Sequence, residues 1–364
     1  MQTIINGIDE LANVLSDSKN ILLVCGQSFM HLSIRKYIES LPMRMVKFDK
    51  FTPNPRYEEV CLGVDMFNRE NCDTILAVGG GSAMDVAKCI KLFCKMPKEK
   101  IYLEQTFEDS EVPLIAIPTT AGTGSESTRY AVIYYEGNKQ SVTHDSIIPN
   151  YALLEPDVLK ELPEFQKKCT LMDALCQSIE SWWSVNSNDE SKVYSEKSIR
   201  GIMENWRSYV YSKDPSIVSN IMLSANYSGR AINITQTTAP HAFSYKMTSL
   251  YGLPHGYAVA IGLPYIWEYM CTHLEKCIDD RGADYLNSVF FDIAHAMGAS
   301  NTHAAIRLFF SMLDELDMRN PISKDRELDI VTLSTSVNPV RLKNNPIKLD
   351  EADIHVLYDK ILSR

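Results

Sequence analysis

The sequence predicts an N-terminal α/β domain with a Rossmann-like parallel sheet over residues 1–160, followed by an all-α C-terminal domain over residues 161–364. Two observations predict this division. Up to about residue 159, apolar strand-like runs alternate with helical periodicity, which is typical of parallel sheets with right-handed crossovers. Beyond that point nearly every segment has helical periodicity. The length of 364 residues is enough for about two domains.

The first domain is predicted from four short apolar runs of the kind that form buried strands. They are "NILLVCG" at 20–26, "RMVKFD" at 44–49, "CDTILAVGGGS" at 72–82 and "PLIAIPTT" at 113–120. Helical periodicity follows the first three of them, at 29–41, 57–71 and 83–95. We therefore expect strand–helix–strand units in this half of the chain.

The second domain is predicted from long segments with apolar residues at helical spacing and few strand signals. They include "KCTLMDALCQSIESWWSV", "ESKVYSEKSIRGIMENWRSYV", "SIVSNIMLSANYSGRAINIT" and "YAVAIGLPYIWEYM".

Composition excludes several classes of partner. The net charge of −10 and the absence of a basic stripe argue against nucleic acid or an anionic membrane. No apolar run approaches the ~18–20 residues of a membrane span. The nine cysteines contain no CxxC pair, which fits a reducing compartment. The N-terminus lacks the basic region of a secretory signal. We therefore expect a cytoplasmic protein.

A glycine turn lies between the third strand and the helix after it, in "AVGGGSAMD". Glycines let the backbone approach an anion closely, and a helix N-terminus offers unpaired N–H groups. A diphosphate could therefore bind over residues 79–82. The alternative is a tight structural turn, since neither GxGxxG nor a Walker GK[ST] is present.

A second loop, "PTTAGTGSES", follows the fourth strand and is rich in hydroxyl groups. In an open parallel sheet, ligands gather at the carboxyl ends of the strands. Two such loops, each after a different strand, favour a nucleotide-type ligand more than either loop alone.

The acidic and histidine residues in the second half of the chain have two interpretations, and the first is a metal site. Asp173 and Gln177 share a helix face, although an amide is a poor ligand for a transition metal. His241 and His255 could complete a mixed N/O site with Asp173, of the kind that suits zinc or ferrous iron. The alternative is that these histidines are structural.

The chain resembles the iron-containing (group III) alcohol dehydrogenases, whose relatives include glycerol dehydrogenase and dehydroquinate synthase. The resemblance is collinear over nearly the whole chain. It rests on "FTPNPRYEEV", "AVGGGSAMDVAKCI", "IAIPTTAGTGSES", "MDALCQSIES", "HAFSYKMTSLYGLPHGYAVAI" and "NNPIKLDEADIHVLYDKIL". It implies the iron alcohol dehydrogenase (dehydroquinate synthase-like) fold and a metal-dependent, NAD(P)H-linked reduction of a small aldehyde.

The resemblance also implies a set of site residues. The diphosphate would bind at Gly80, Gly81 and Ser82. The rest of the dinucleotide would contact Asp85, Thr119, Thr120, Thr123 and Lys139. The metal, iron or zinc, would be held by Asp173, His241 and His255, which would also be the catalytic centre. A homodimer is expected.

The chain departs from the family pattern at two positions, one that concerns the metal ligands and one that concerns proton transfer. Iron-dependent members carry a histidine where this chain has Gln177, whereas the zinc-dependent glycerol dehydrogenases lack it and use one aspartate and two histidines. A further histidine of many members falls on Tyr245. With an unperturbed pKa of about 10, Tyr245 is a weaker proton donor or acceptor at neutral pH.

A third departure concerns the nucleotide. Members that prefer NAD end the first strand with an aspartate that binds the ribose 2′-hydroxyl, and Gly26 takes that position here. Without the carboxylate a 2′-phosphate is not repelled, so NADPH is favoured over NADH. The alternative is that Gly26 only ends the strand.

The substrate is expected to be small and anionic. Arg129 and Lys246 suit a phosphonate oxygen group, and Gln177 could contact the same group. The alternative for Arg129 and for Lys246 is a solvated surface charge. The polar stretch "NITQTTAPHAFSYK" resembles the phosphonoacetaldehyde reductase branch, which forms 2-hydroxyethylphosphonate. Glycerol or a simple alcohol is the alternative substrate. A dehydroquinate synthase-like lyase or cyclase is the alternative class, and a non-catalytic binding protein is another.

Overall fold

The computed structural model describes residues 2–211 and 214–363. The chain divides into two compact units, Met1–Pro163 with Lys213–Gly229, and Glu164–Ser212 with Arg230–Arg364. The stretch 213–229 of the first unit falls in a segment that the sequence assigns to the helical domain. The domain boundary at residue 160 stays a prediction.

Within the described residues, all strands lie in the first unit. They are β1 (Thr3–Asn6), β2 (Asn20–Cys25), β3 (Arg44–Phe48), β4 (Thr74–Gly79), β5 (Leu114–Pro118), β6 (Tyr130–Tyr135), β7 (Asn138–Thr143) and β8 (Tyr151–Leu154).

The helices of the first half are α1 (Leu11–Val14), α2 (Arg35–Ser40), α3 (Tyr57–Arg69), α4 (Gly81–Phe93) and α5 (Asp157–Lys160). Those of the second half are α6 (Glu164–Trp183), α7 (Asp189–Tyr211), α8 (Pro215–Thr235), α9 (Ala239–Tyr251), α10 (His255–Thr272), α11 (Ala283–Ala296), α12 (Thr302–Glu315), α13 (Arg326–Ser336) and α14 (Glu351–Ile361). Within the described residues, none of these helices could cross a membrane by length and apolarity.

A six-stranded parallel sheet forms the centre of the first unit, in the order β1-β8-β5-β4-β2-β3. Strands β2, β4 and β5 are buried along nearly their whole length. A strand covered on both faces is a continuous apolar run, which explains why the sequence alone predicts these three. Helices α3 and α4 pack against the sheet through residues such as Val60, Val86 and Ile90.

The second unit is built from helices around a core of large aromatic side chains. Trp183, at the end of α6, makes edge-on contacts with Trp267 of α10 and Phe290 of α11, at ring-centroid distances of 5.7 and 6.0 Å. Tyr358 of α14 stacks on Phe243 of α9 at 4.7 Å and donates a hydrogen bond to its carbonyl oxygen. These contacts fix α6, α9 and α10, the helices that carry the acidic and imidazole residues.

Four strands and one predicted helix differ from the sequence-based expectation. The strands that the sequence does not predict are β1, the antiparallel hairpin of β6 and β7, and β8. The helix predicted over 29–41 is wrong in part, because a 3-10 turn ends at His31, Leu32 is extended, and only Arg35–Ser40 is α-helical. The apolar residues over 29–41 form one buried face, but two short helical segments carry this face instead of one continuous helix.

A close backbone approach joins α8 to the loop after β5 within the first unit. Gly124 has a φ of +57°, a left-handed conformation that favours glycine. A Cβ built at Gly229 would lie 2.3 Å from the carbonyl oxygen of Gly124. The neighbouring Asn226 amide donates to Glu126 and Ser127, at 3.0 and 2.8 Å. The contact therefore requires glycine at both positions.

Replacing Gly229 by alanine should destabilise the protein, because the added methyl group meets backbone that cannot rotate away. We expect a loss of about 1–3 kcal/mol, as for an overpacked core, and a melting temperature several degrees lower by calorimetry. Ser224→Ala, one turn earlier on α8, removes only a bond to Asn220 within the helix and should change stability much less. Equal melting temperatures for Gly229→Ala and the wild type would contradict the close approach.

Candidate functional site

Three loops that carry predicted nucleotide-binding residues leave the sheet at the same edge. In the register of the sheet, Cys25 pairs with Val78 and Gly79 pairs with Pro118, so β2, β4 and β5 end side by side. Strand β4 lies on one side of β2 and β3 on the other. Crevices at such reversals of strand order, outside the carboxyl ends, are where open α/β sheets bind ligands.

The glycine turn brings the first turn of α4 against the threonine loop. A Cβ at Gly80 would lie 3.3 Å from the Thr120 methyl group, and a Cβ at Gly81 would lie 3.2 Å from that of Thr123. No side chain caps this helix. Its first N–H groups therefore remain available to an anion, which is the condition for binding a diphosphate.

A buried polar cluster lies behind this turn, on α4. Lys88 is completely buried, and its ammonium donates to Ser125, Thr128 and the carbonyl oxygen of Tyr130, at 2.8–3.0 Å. Burial lowers the pKa of Lys88 to about 8 despite the attraction of Asp85 and Glu126. The cluster ties α4 to the hydroxyl-rich loop, and the sequence analysis did not single out Lys88.

Asp85 belongs to the same cluster and accepts a hydrogen bond from Ser125 at 3.2 Å. Burial raises the pKa of its carboxyl to about 6, against the attraction of Lys88 and of Lys139 on β7. The predicted residues Asp85, Lys139 and the threonine loop therefore lie in one part of the first unit.

Arg129, predicted to bind substrate, also lies in the first unit. Its guanidinium pairs with Asp145 at 3.2 Å and donates to the Tyr130 hydroxyl at 3.2 Å. An anionic substrate would have to compete with Asp145 for this guanidinium.

The metal-binding cluster predicted from the sequence forms in the second unit. One ligand atom from each of Asp173, His241 and His255 lies within 4.8 Å of the others. The Oδ1 atom of Asp173 is 3.5 Å from Nε2 of His241 and 4.0 Å from Nε2 of His255. Two ligands about 2.1 Å from one ion at a tetrahedral angle lie about 3.4 Å apart, so the set has the dimensions of a metal site.

The chemistry of the cluster fits a cation. Nε2 of His241 is buried and forms no hydrogen bond with the described residues. Burial disfavours the imidazolium, yet Glu180 and Asp173 outweigh burial and raise the pKa of His241 to about 9. The pocket therefore attracts positive charge to this nitrogen, and one carboxylate with two imidazoles suits zinc or ferrous iron.

Glu180 is the residue of this site that the sequence analysis missed. It is completely buried on α6, and its Oε1 atom lies 2.5 Å from Nδ1 of His241. Asp173, Gln177 and Glu180 are spaced by four and three residues, so they lie on one face of the helix. The same spacing argument that singled out Gln177 could have found Glu180.

Of the other predicted residues of this unit, Tyr245 has a contact with the cluster. Tyr245 stacks on the ring of His255, with a centroid distance of 5.9 Å and 5° between the planes. Gln177 is buried one turn after Asp173, and Lys246 is partly buried on α9. Tyr245 is thus the predicted proton-transfer residue that the structure brings to a predicted metal ligand.

A helix N-terminus and hydroxyl loop suited to a dinucleotide in one unit, and a metal-binding cluster in the other, define a metal- and dinucleotide-dependent enzyme. The model of the iron-containing alcohol dehydrogenases matches residues 3–156, and that of their C-terminal region matches residues 168–362. The chain belongs to the iron-containing alcohol dehydrogenase family, and the predicted fold class and family are confirmed.

Individual relatives agree with this assignment. The chain is 29% identical over 355 residues to alcohol dehydrogenase 4 of Schizosaccharomyces pombe, covering 92% of this chain and 82% of that protein. It is 31% identical over 250 residues to phosphonoacetaldehyde reductase of Streptomyces viridochromogenes, covering 65% of this chain and 63% of that protein. The identities to these two relatives, 29% and 31%, are similar, so they do not favour the phosphonoacetaldehyde reductase branch over other alcohol dehydrogenases.

The fold has a close counterpart among solved structures. The iron-containing alcohol dehydrogenase of Thermococcus thioreducens superposes with a TM-score of 0.90 at 21% identity, covering 99% of this chain and 98% of that one. This protein is accordingly an oxidoreductase that interconverts the CH–OH group of an alcohol and the carbonyl group of the corresponding aldehyde. Its Asp/His triad is a set of residues that could hold a metal ion.

Helix α10 approaches α6 at the metal cluster through Gly256. A Cβ there would lie 2.2 Å from the carbonyl oxygen of Cys169 and 2.6 Å from Cβ of Asp173. Because Gly256 follows His255 directly, the absence of a side chain lets a histidine on one helix meet an aspartate on the other.

Replacing Gly256 by alanine should separate α10 from α6 and weaken metal binding. We expect at least about a tenfold higher dissociation constant for Zn²⁺, measured by competition with a chelator, because ligands must be held within about 0.5 Å of their positions. Gly262→Ala is the matched control on the same helix, since its nearest neighbour would be 3.7 Å away. Equal zinc affinities for the two variants would show that the close approach does not position the ligands.

Proposed function

We propose that this oxidoreductase reduces a small anionic aldehyde, with phosphonoacetaldehyde reduced to 2-hydroxyethylphosphonate as the leading reaction. The cluster of Asp173, His241 and His255 is the single observation on which the proposed chemistry rests. The family includes a phosphonoacetaldehyde reductase, the relative from Streptomyces viridochromogenes. The choice of this substrate for the present chain rests on the polar and cationic residues Lys246, Gln177 and Arg129. Simple aldehydes and glycerol are the competing substrates.

Different residues of the chain would bind the cofactor and the substrate. Gly80, Gly81 and Ser82 would bind the diphosphate with the backbone N–H groups of α4. Thr119, Thr120, Thr123, Asp85 and Lys139 would contact the remainder of the dinucleotide. When bound, the metal supplies Lewis-acid polarisation of the carbonyl group and NAD(P)H supplies the hydride.

Tyr245 is our candidate for delivering the proton. Its ring lies parallel to that of His255, a proposed metal ligand, at a centroid distance of 5.9 Å. A phenol gives up its proton readily only when the acceptor is strongly basic, as an alkoxide is. The developing oxygen of the product meets this condition.

The anionic end of the substrate is assigned to Lys246 and Gln177. Lys246 follows Tyr245 directly on α9, and its partial burial would strengthen a bond to a phosphonate oxygen. Gln177 lies on the face of α6 that carries Asp173. Arg129 remains a further candidate, although Asp145 already engages its guanidinium.

The nucleotide preference is assigned to Gly26. It follows β2 with an extended backbone, and a Cβ there would have no atom within 4 Å. A 2′-phosphate would therefore meet neither a carboxylate nor a steric barrier at this position, and we propose that NADPH is preferred to NADH. The same enzyme is proposed to be a homodimer.

The substrate proposal predicts a selective effect of Lys246→Ala. The Michaelis constant for phosphonoacetaldehyde should rise by about tenfold or more, because a charge-assisted hydrogen bond is worth about 1.5–3 kcal/mol. The Michaelis constant for propionaldehyde, which is neutral, should change little. Rates are measured by NADPH and NADH oxidation on protein of known metal content.

Lys360→Ala, on the exposed face of α14, is the control for the change in net charge. Equal effects of Lys246→Ala on both aldehydes would overturn the anionic-substrate proposal. Turnover of glycerol but of no anionic aldehyde would favour the competing dehydrogenase function. Product formation without net nucleotide oxidation would indicate lyase or cyclase chemistry.

The nucleotide proposal predicts that Gly26→Asp lowers the ratio of NADPH to NADH efficiency by about tenfold or more. A carboxylate at this place repels a 2′-phosphate and accepts a bond from a 2′-hydroxyl, and a tenfold change corresponds to about 1.4 kcal/mol. Gly26→Asn has nearly the same size without the charge and should shift the ratio less. An unchanged kcat/KM ratio in Gly26→Asp would show that Gly26 only ends the strand.

A further inference from the structure

We propose that Glu180 is the positioning residue that determines which nitrogen of His241 carries the proton, and that it thereby leaves Nε2 for the metal and sets the metal affinity. The inference rests on the proposed role of Asp173, His241 and His255 as the ligands. It follows from the direction of the hydrogen bonds in a buried network on α6 and the start of α9.

The network begins at two groups that can only donate. The indole N–H of Trp183 donates to the hydroxyl oxygen of Thr238 at 2.8 Å. The backbone N–H of Thr238 donates to Oε2 of Glu180 at 2.7 Å. An indole nitrogen and a backbone nitrogen cannot accept hydrogen bonds, so the direction of both bonds is determined.

The direction of the next hydrogen bond follows from that of the bond between Trp183 and Thr238. Because the Thr238 oxygen already receives the Trp183 proton, its own proton is directed to Oε2 of Glu180, at 3.0 Å. Oε2 thus accepts two hydrogen bonds and carries no proton. The other oxygen, Oε1, faces Nδ1 of His241.

The carboxylate therefore determines the tautomer of His241. An imidazole is a stronger base than a carboxylate, so the proton between the two groups belongs to Nδ1, and Oε1 accepts the hydrogen bond. In neutral His241, the form that binds a metal, the lone pair is therefore on Nε2. Nε2 is the nitrogen 3.5 Å from Oδ1 of Asp173, and it forms no hydrogen bond with the described residues. It is ready to bind a metal ion.

Glutamine at position 180 would reverse this arrangement. Its carbonyl oxygen must face Thr238, which offers two donors, so its amide N–H would point at Nδ1 of His241. Nδ1 would then accept, and the proton would move to Nε2. A protonated Nε2 cannot bind a metal. Glu180→Gln should therefore weaken metal binding more than the loss of a negative charge far from the cluster would.

The test compares zinc affinity and the absorption spectrum of the Co²⁺ form in full-length wild type and Glu180→Gln. We expect the zinc dissociation constant of the variant to rise by about 10–100-fold, as for other carboxylates that bind metal-ligating histidines. The ligand-field bands of the Co²⁺ form should shift as His241 leaves the metal. Ser178→Ala is the control for loss of a buried polar group on α6, since its hydroxyl bonds Ser198 and Ala174, and its zinc affinity should equal that of the wild type.

Glu180→Asp keeps the charge but shortens the side chain by one methylene, so it cannot span His241 and Thr238. Glu180→Asp should therefore also weaken zinc binding. If Glu180→Gln does not fold, the zinc affinity of Glu180→Asp tests the role of Glu180 in its place. Wild-type zinc affinity and an unshifted Co²⁺ spectrum in a folded variant would overturn the role of Glu180. Absence of zinc binding by the wild type itself would instead refute the proposed metal site.

Discussion

The second unit depends on two carboxylates buried on one face of α6, with one imidazole held between them. Asp173 and Glu180 are each almost fully withdrawn from water, where an uncompensated charge is expensive. His241 faces Glu180 with one ring nitrogen and Asp173 with the other. Two carboxylates beside one imidazole leave an excess of negative charge, which raises the pKa of His241 and which a divalent cation bound by the cluster would offset. The proposed metal would therefore favour this arrangement of α6.

The absence of side chains at a few positions makes both predicted binding regions possible. Gly256 lets α10 approach α6 at Asp173, and Gly80 and Gly81 let the first turn of α4 lie against the threonine loop. In each case a methyl group would occupy the space in which two polar elements meet. The close packing of a glycine backbone against its neighbours, the threonine methyl groups at α4 and the α6 backbone and Asp173 at α10, determines the distance between these elements.

Much of the fold follows from local patterns. Strands β2, β4 and β5 are covered on both faces, so they are predictable as unbroken apolar runs, and the long helices have clear periodicity. Strand β1 has only four residues, and β7 is mostly polar, so neither carries a sufficient signal of its own. Their formation depends on a partner strand, which a local pattern does not contain.

The sequence by itself determined the chemical types at the proposed site: one aspartate and two histidines as proposed metal ligands, and a glycine turn with hydroxyl groups as the proposed nucleotide-binding region. Donor chemistry belongs to the residue types and to their order along the chain. Only the tertiary structure decided the supporting contacts. Glu180 meets His241 across 61 positions of sequence, and Lys88 meets Thr128 across 40. Such pairs exist only once α6 and α9, or α4 and its neighbouring loop, have been packed together by the hydrophobic residues around them.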